Sequence, residues 1–294
     1  MKPCVILNPA AGAAKNADGI RKQLEALNPV AIYATSKEGQ AAGFARKAIQ
    51  HQCDYIIAAG GDGTLNEVIN GIARYGRDVR IGLLPLGTGN DFARSLKLPA
   101  TVDENIAILD AGKTRDIDLV RVRSDRIRYF VNVSAGGFSG LVNEKLTAEM
   151  KRTWGPLAYV RSAAAALPEL HAYKTQVELA DGEKLEVDLY NMIVANGSFV
   201  AGGLPVAPDA NPSDGLLDVI MIPKRSTVEM VLLAAQIVLG NHLGSESILF
   251  RRTQRLKVHS RPGMWFNADG ELVGNEPARF EIIPRALRFV APPQ

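Results

Sequence analysis

The chain has 294 residues, room for two compact domains, with 47% hydrophobic and 22% charged residues. That balance is ordinary for a folded protein and excludes a disordered or low-complexity chain. A formal net charge of +3 is too small to argue for nucleic acid as a partner. Cys4 and Cys53 sit in apolar stretches without CxxC spacing. Each is therefore expected as a small buried hydrophobe rather than a disulfide partner or a metal ligand. The four histidines are scattered and give no zinc pattern. Scarce cysteine fits a reducing cytoplasm.

In chain order, the apolar run Cys4–Leu7 is too short for the core of a signal peptide. It heads a series of short apolar runs, continued by Val30–Ala34, Asp54–Ala59 and Arg80–Leu84, each closing on turn residues. Helical patterns at Ala17–Leu27, Gln40–His51 and Leu65–Arg74 alternate with them. In the last, Leu65, Val68, Ile69 and Ile72 fall on one face. Strands alternating with helices predict an α/β domain with a parallel sheet over residues 1–120, whose ligands bind beyond the carboxyl ends of the strands.

From about Asp118 the pattern changes. Arg128–Ser134, Lys174–Leu179, Leu185–Ala195, Leu217–Ile222, Ser247–Lys257 and Arg279–Ile283 read as strands. Asp181-Gly182, Asn196-Gly197, Asp214-Gly215 and Asp269-Gly270 separate them as turns, which predicts a β-rich antiparallel, sandwich-like domain over residues 121–283. Helices are expected at Leu141–Arg152 and Pro156–Leu167, and the tail 284–294 returns to the first domain. Val228–Leu239 carries Glu229 and Gln236 and stops at Gly240. It falls short of the ~20 apolar residues of a membrane span and reads as a core helix. The cluster Arg251-Arg252-Thr253-Gln254-Arg255-Leu256-Lys257 suits either a solvated strand face or contact with an anionic membrane.

Gly60-Gly61-Asp62-Gly63-Thr64 follows an apolar strand and opens a helix. Glycines let the backbone approach a phosphate, and a helix N-terminus offers unpaired N–H groups. Thr64 suits an N-cap, with Glu67 three residues on completing a capping box. Asp62 beside phosphates implies Mg²⁺ between the like charges. The next strand end repeats the theme in Leu86-Gly87-Thr88-Gly89-Asn90-Asp91, with Thr88 a phosphate donor and Asp91 a second carboxylate. Asn8-Pro9-Ala10-Ala11-Gly12 ends the first strand, and adjacent parallel strands would gather all three loops. Neither GxxxxGK[ST] nor GxGxxG occurs, which disfavours a P-loop or a dinucleotide-binding fold.

Gly60 to Gly71, followed by Pro85-Leu86-Gly87-Thr88-Gly89-Asn90-Asp91-Phe92-Ala93, resembles the diacylglycerol kinase catalytic domain. More narrowly, it resembles the bacterial lipid kinases related to sphingosine and ceramide kinases. The GGDG element is shared with NAD kinases and phosphofructokinases, so the resemblance implies their type of first domain. It also implies nucleotide contacts at Asn8, Gly12, Thr35, Gly60, Gly61, Asp62, Gly63, Thr64, Glu67 and Thr88. Gly202-Gly203 and the run Ala207 to Asp218 match the family's segment for a structural Mg²⁺. The implied ligands are the Asp214 carboxylate and the main-chain oxygens of Asn211 and Leu216. Asn267-Ala268-Asp269-Gly270-Glu271 resembles the family's DGE element, so Asp269 or Glu271 is the general base.

The implied reaction is Mg²⁺-dependent transfer of the ATP γ-phosphate to a hydroxyl of a membrane lipid, with Asp62 and Asp91 at the phosphates. Partners are ATP, the lipid and an anionic membrane surface met peripherally from the cytoplasm; a homodimer is allowed. The rivals are a kinase of a soluble substrate such as NAD, and a nucleotide-regulated membrane-binding protein without catalysis.

Overall fold

The computed structural model describes residues 2–12, 17–75, 78–137, 171–275 and 277–292. The helices expected at Leu141–Arg152 and Pro156–Leu167 lie outside them. β1 (Pro3–Leu7), β2 (Ala31–Ala34), β3 (Tyr55–Gly60) and β4 (Arg80–Pro85) are parallel and stand in the order β2-β1-β3-β4. β1, β3 and most of β4 are buried on both faces, which is why they read as unbroken apolar runs. On one face Ile6, Ile56, Ala58 and Ile81 meet α2 (Gln40–Gln50) and α3 (Asp62–Ile72). On the other, Val5, Leu7, Ile57 and Leu84 meet α1 (Ala17–Glu25) and α5 (Val102–Ala111). The short helix α4 (Asp91–Ser95) follows β4. α2 and α3 pack so closely that a Cβ at Gly71 would come within 2.6 Å of the Ala42 carbonyl oxygen.

The remaining strands are β5 (Thr114–Arg123), β6 (Ile127–Phe130), β7 (Val133–Gly137), β8 (Tyr173–Leu179), β9 (Lys184–Ala195), β10 (Phe199–Val200), β11 (Leu204–Pro205), β12 (Leu217–Pro223), β13 (Leu249–Thr253), β14 (Arg255–Arg261), β15 (Phe266–Ala268), β16 (Glu271–Gly274) and β17 (Ala278–Val290). Apart from the joint of β17 with β4, they pair antiparallel. Their core centres on Phe130, Phe266 and Phe280, and the last two rings meet edge to face with centroids 5.3 Å apart.

β17 joins the two regions. Its first residues pair with β14, a register shift falls between Ile283 and Leu287, and Arg288–Val290 then run parallel to Arg80–Gly82 of β4. Arg279–Ile283 and the returning tail are therefore one strand. Fifteen strands of the described residues form a single continuous sheet, with β10 and β11 apart from it.

Four expectations are corrected. Arg128–Ser134 breaks into β6 and β7, because the N–H groups of Val131 and Asn132 turn to the Asp269 carboxylate. Ser247–Lys257 breaks at Gln254, where β13 stays with β12 and β14 crosses to β8 and β17. The helix α6 (Thr227–Leu239) is not a core helix. It buries Met230 and Leu233 but leaves Val228, Leu232 and Leu239 59–74% exposed. Cys4 and Cys53 are buried as expected, yet they are joined as a disulfide with Cα atoms 6.2 Å apart. β1 and β3 pair from Pro3 and Tyr55 onward, which sets Cys53, two residues before β3, beside the start of β1.

Candidate active site

The carboxyl ends of β1, β3 and β4 lie side by side, so their three loops share one edge. Asn8 closes its own turn by accepting from Ala10 N at 3.0 Å, and its Nδ2 donates to Thr64 Oγ1 at 3.3 Å. Gly12 lies against Thr88, where an added Cβ would come within 2.7 Å of Thr88 Cγ2. Gly61 and Gly87 abut, since a Cβ on Gly87 would fall 2.6 Å from Gly61 Cα; only glycine permits this approach of two backbones. Thr35, at the end of β2, donates its N–H to Leu7 O at 2.8 Å. Gly12, Gly63 and Thr88 are exposed on this edge.

α3 begins at Asp62, with Gly61 as its N-cap and no side-chain cap. The expected capping box of Thr64 and Glu67 is therefore absent. Thr64 lies within the first turn, against Gly60. Glu67 accepts from Gly39 N and Ala41 N, each at 2.8 Å, and so serves the start of α2. The start of α2 follows the carboxyl end of β2, so Glu67 lies at the strand-end edge with both carboxylate oxygens engaged by amides. The first N–H groups of α3 are left open toward the loops, the condition for binding an anion.

Two acids stand beside that opening. The Asp62 carboxylate reaches across to the first turn of α4 and accepts from Asp91 N at 3.1 Å and Phe92 N at 3.2 Å. Asp91, itself buried, accepts from Gly202 N at 3.0 Å and Gly203 N at 2.7 Å. Positive φ at Ala201, Gly202 and Gly203 shapes the β10–β11 tip that supplies these donors. Burial pushes the Asp91 carboxyl above its ordinary range. The Gly202 N–H opposes that shift, and the negative charge of Asp62 adds to it.

A third carboxylate arrives from the antiparallel region. Asp269 occupies the β15–β16 turn with φ 47° and accepts from Val131 N (3.1 Å), Asn132 N (3.2 Å) and Val133 N (2.9 Å). Desolvation nonetheless raises it to about 6, with the Asp62 charge contributing in the same direction. Glu271, one residue beyond Gly270, opens β16 and is exposed. The turn thus separates the two acids, as a regular strand would not.

Long-range contacts that no motif announced set this geometry. Asn70 on α3 holds β6 by donating to Tyr129 O at 2.9 Å and accepting from Tyr129 N at 3.0 Å. Asn66, one turn earlier, is 4% exposed, and its side chain faces Asp269, whose carboxyl it helps to lower against the effect of burial. Two amides four residues apart on an apolar helix face were the available signal. Asn132 donates to Phe199 O at 2.8 Å and has no such signature.

The Asn211–Leu216 loop is a separate site. Asp214 accepts from Leu216 N at 3.0 Å and is ion-paired with Arg252, whose Nε also bonds Asp218 at 2.8 Å. Asn211 O accepts from Asp214 N at 3.3 Å. Beneath the loop, Asp118 is fully buried and accepts from Gly215 N at 2.7 Å and Arg285 N at 2.6 Å. Burial raises the carboxyls of Asp118 and Asp218. Both acids, and Arg252 as their neighbour, went unread as a constellation because β5, the loop, β13 and β17 meet only in the fold.

Both expected Mg²⁺ positions can be tested on these contacts. A Cβ at Gly89 would lie 3.1 Å from Asp62 Oδ2 and 3.4 Å from Asp91 Oδ2. The two carboxylates thus flank one small space, and that donor set fits a hard cation completed by phosphate oxygens. At the second loop the oxygens of Asn211, Asp214 and Leu216 are of the right kind, but Arg252 already holds the Asp214 carboxylate. Among the described residues no group of three or more His, Cys, Asp or Glu is placed to hold a metal.

An open helix N-terminus among glycine loops at parallel strand ends, facing acids from an antiparallel region, defines the two-region α/β kinase class. Comparison narrows the class. Residues 2–122 match the diacylglycerol kinase catalytic domain, and residues 132–291 match the YegS C-terminal NAD kinase beta sandwich-like domain. A Bacillus subtilis (strain 168) protein named diacylglycerol kinase is 31% identical over 295 residues, covering 98% of this chain and 95% of its own. The crystal structure of a diacylglycerol kinase from Bacillus anthracis str. Sterne superposes with a TM-score of 0.76 at 20% identity, covering 99% of this chain and 97% of that one. An NAD kinase from Archaeoglobus fulgidus in complex with ATP gives 0.52 at 16% identity, over 99% and 93%. The last two are likenesses of fold. The chain belongs to the bacterial diacylglycerol kinase-like lipid kinase family, and it is a lipid kinase.

Proposed function

We propose that the protein transfers the γ-phosphate of ATP to a hydroxyl of diacylglycerol or a closely related lipid alcohol. The observation that carries this reading is the uncapped start of α3, open among the Asn8–Gly12, Gly60–Thr64 and Gly87–Asn90 loops. Residues 1–120 with 284–294 form the nucleotide half in this proposal, and residues 121–283 form the acceptor half. Backbone N–H groups of Gly61–Thr64 take the phosphates, assisted by the Thr88 hydroxyl, and Asn8 holds the Thr64 side chain in place. Thr35 borders the same edge. Mg²⁺ held by Asp62 and Asp91 would neutralise phosphate charge.

Asp269 feels the negative charge of Asp62, and its raised carboxyl suits a base working near neutral pH. Three N–H bonds and the Asn66 side chain fix its direction. The proton of the acceptor hydroxyl passes to this oxygen as the γ-phosphorus is attacked, and ADP leaves. Glu271 is the alternative base. Its exposure leaves it unencumbered, and paired D269N and E271Q variants assign the role.

No helix among the described residues is long and apolar enough to cross a membrane. In this proposal the lipid is met peripherally, on the cytoplasmic side where ATP is available. The basic cluster contributes little to that contact. Arg251 pairs with Glu183, Arg252 with Asp214 and Asp218, and Lys257 with Glu178, so acids distant in sequence answer most of its charge. Phosphate transfer to lipid in mixed micelles, with NAD run in parallel, tests the proposal; labelling of NAD alone would overturn it.

A further inference from the structure

The β15–β16 hairpin carries both candidate bases and also two of the large apolar side chains that the fold leaves in water. Trp265 is 52% exposed and Leu272 is 60% exposed. Their neighbours Phe266, Ala268 and Val273 are buried in the antiparallel core. The hairpin is therefore firmly seated on one face and greasy on the other. Leu272 stands opposite Asn267 in the ladder, just past a register shift. Burial alternates from Met264 to Ala268, so Trp265 and Asn267 turn away from the core that takes Phe266 and Ala268. Two such side chains cost free energy in solvent, and no core requirement explains them.

The surroundings supply a matching charge. Ser260 accepts from Met264 N at 2.8 Å, closing a turn that carries the exposed Arg261 and leads into Trp265. The β5–β6 turn abuts the base of the hairpin, where Asp125 accepts from Asn275 N at 3.3 Å. That contact brings the exposed Arg126 and the 51% exposed Ile127 to the same margin. An indole with an apolar body and a polar N–H, flanked by arginines, is the side-chain set that settles at the boundary between headgroups and acyl chains.

We propose that the exposed face of the β15–β16 hairpin, built on Trp265 and Leu272 with Arg126 and Arg261 at its margin, docks onto an anionic lipid surface. It thereby delivers the acceptor hydroxyl to the acids in its own turn. The choice of a membrane as occupant rests on the lipid-kinase reading. Docking and catalysis are coupled by distance alone, since Asp269 and Glu271 lie between Asn267 and Leu272 in the chain. The interfacial groups therefore sit within a few residues of the base, and substrate need not leave the bilayer.

The test uses the full chain with Trp154, the only other tryptophan in the sequence, replaced by phenylalanine. Vesicles of equal parts phosphatidylcholine and phosphatidylglycerol, with and without brominated acyl chains, should blue-shift Trp265 emission and quench it. In parallel, the W265A/L272A double variant should partition onto the same vesicles at least about tenfold more weakly than wild type. Its ratio of turnover on vesicle-borne to monomeric short-chain diacylglycerol should fall correspondingly. Unquenched Trp265 emission, or vesicle binding by the double variant equal to wild type, would overturn the inference. Quenching and weakened binding in a protein that phosphorylates no lipid would uphold the docking surface and sink the proposed reaction instead.

Discussion

The molecule holds two clusters of acids whose charges are answered in different ways. At the strand ends, Asp62 and Asp91 accept, among the described residues, from neutral backbone N–H groups, those of Asp91, Phe92, Gly202 and Gly203. At the β12–β13 junction, Asp214 and Asp218 share the Arg252 guanidinium. The first cluster is held by amides, with Arg94 acting on Asp91 through its charge alone, which leaves carboxylate oxygens for a ligand to meet. The second carries its own cation. Proximity of carboxylates is thus no guide to a metal site until their partners are counted.

Several experiments would break or sharpen that contrast. The largest effect is expected from D62A, which removes one side of the space beside Gly89 and the anchor of α4. Turnover should fall roughly 10³-fold, the scale for losing preorganised charge in a phosphoryl-transfer site, with circular dichroism unchanged. Near-wild-type kcat would remove Asp62 from the mechanism. D269N comes next, at roughly 10²–10⁴-fold for a general base. In the wild type, kcat/KM should fall as pH drops through about 6, where Asp269 titrates. A limb that stays there in D269N but vanishes in E271Q would move the role to Glu271.

The same raised carboxyl has a stability consequence. A group whose folded-state pKa exceeds its unfolded value favours the fold at low pH, and that contribution is lost as pH rises through the folded value. Asp269 should therefore weaken the protein as pH climbs from its ordinary 3.8 to about 6, with no further change from this group above that, a trend that thermal melts across pH would reveal.

R252A probes the second cluster. It would leave Asp218, 2% exposed, as a buried charge without its partner, at a cost of about 3 kcal/mol. Because burial already raises Asp218, the loss should grow as pH rises. Mg²⁺ should raise the Tm of R252A more than that of the wild type, if Asn211, Asp214 and Leu216 can take a cation once Arg252 is gone. Equal shifts in both would mean that Arg252 does not compete for the site. The smallest effect is expected from E67A, which removes two bonds at the start of α2. It should cost about 1 kcal/mol with little change in KM for ATP, and a large rise in that KM would place Glu67 in the nucleotide site.

These contrasts also mark what the sequence could disclose. The phosphate-loop edge was legible because it is local: each loop is a strand end running into a helix start, and Gly60–Thr64 and Gly87–Asp91 are contiguous. The parallel strands were equally readable, being apolar on both faces. What escaped was set by distant partners. Glu67 caps a helix 26 residues away rather than its own, and Asp91 takes donors from a turn 111 residues on. The amide bonds of Asp269 broke a strand that alternation had drawn as continuous. Val228–Leu239 looked like core by composition, yet a helix lying over a sheet needs only one buried face, and Met230 and Leu233 supply it. The disulfide escaped because spacing of 49 residues says nothing about which strands are neighbours.

The most direct single measurement is transfer of labelled γ-phosphate from ATP to a panel of lipid alcohols in mixed micelles, titrated with Mg²⁺ and repeated with D62A. Labelling of diacylglycerol or a close relative that requires Mg²⁺ and disappears in D62A is the expected result. Labelling that is indifferent to Mg²⁺, or that survives D62A, would contradict the assignment of the strand-end acids as the place where phosphate charge is met.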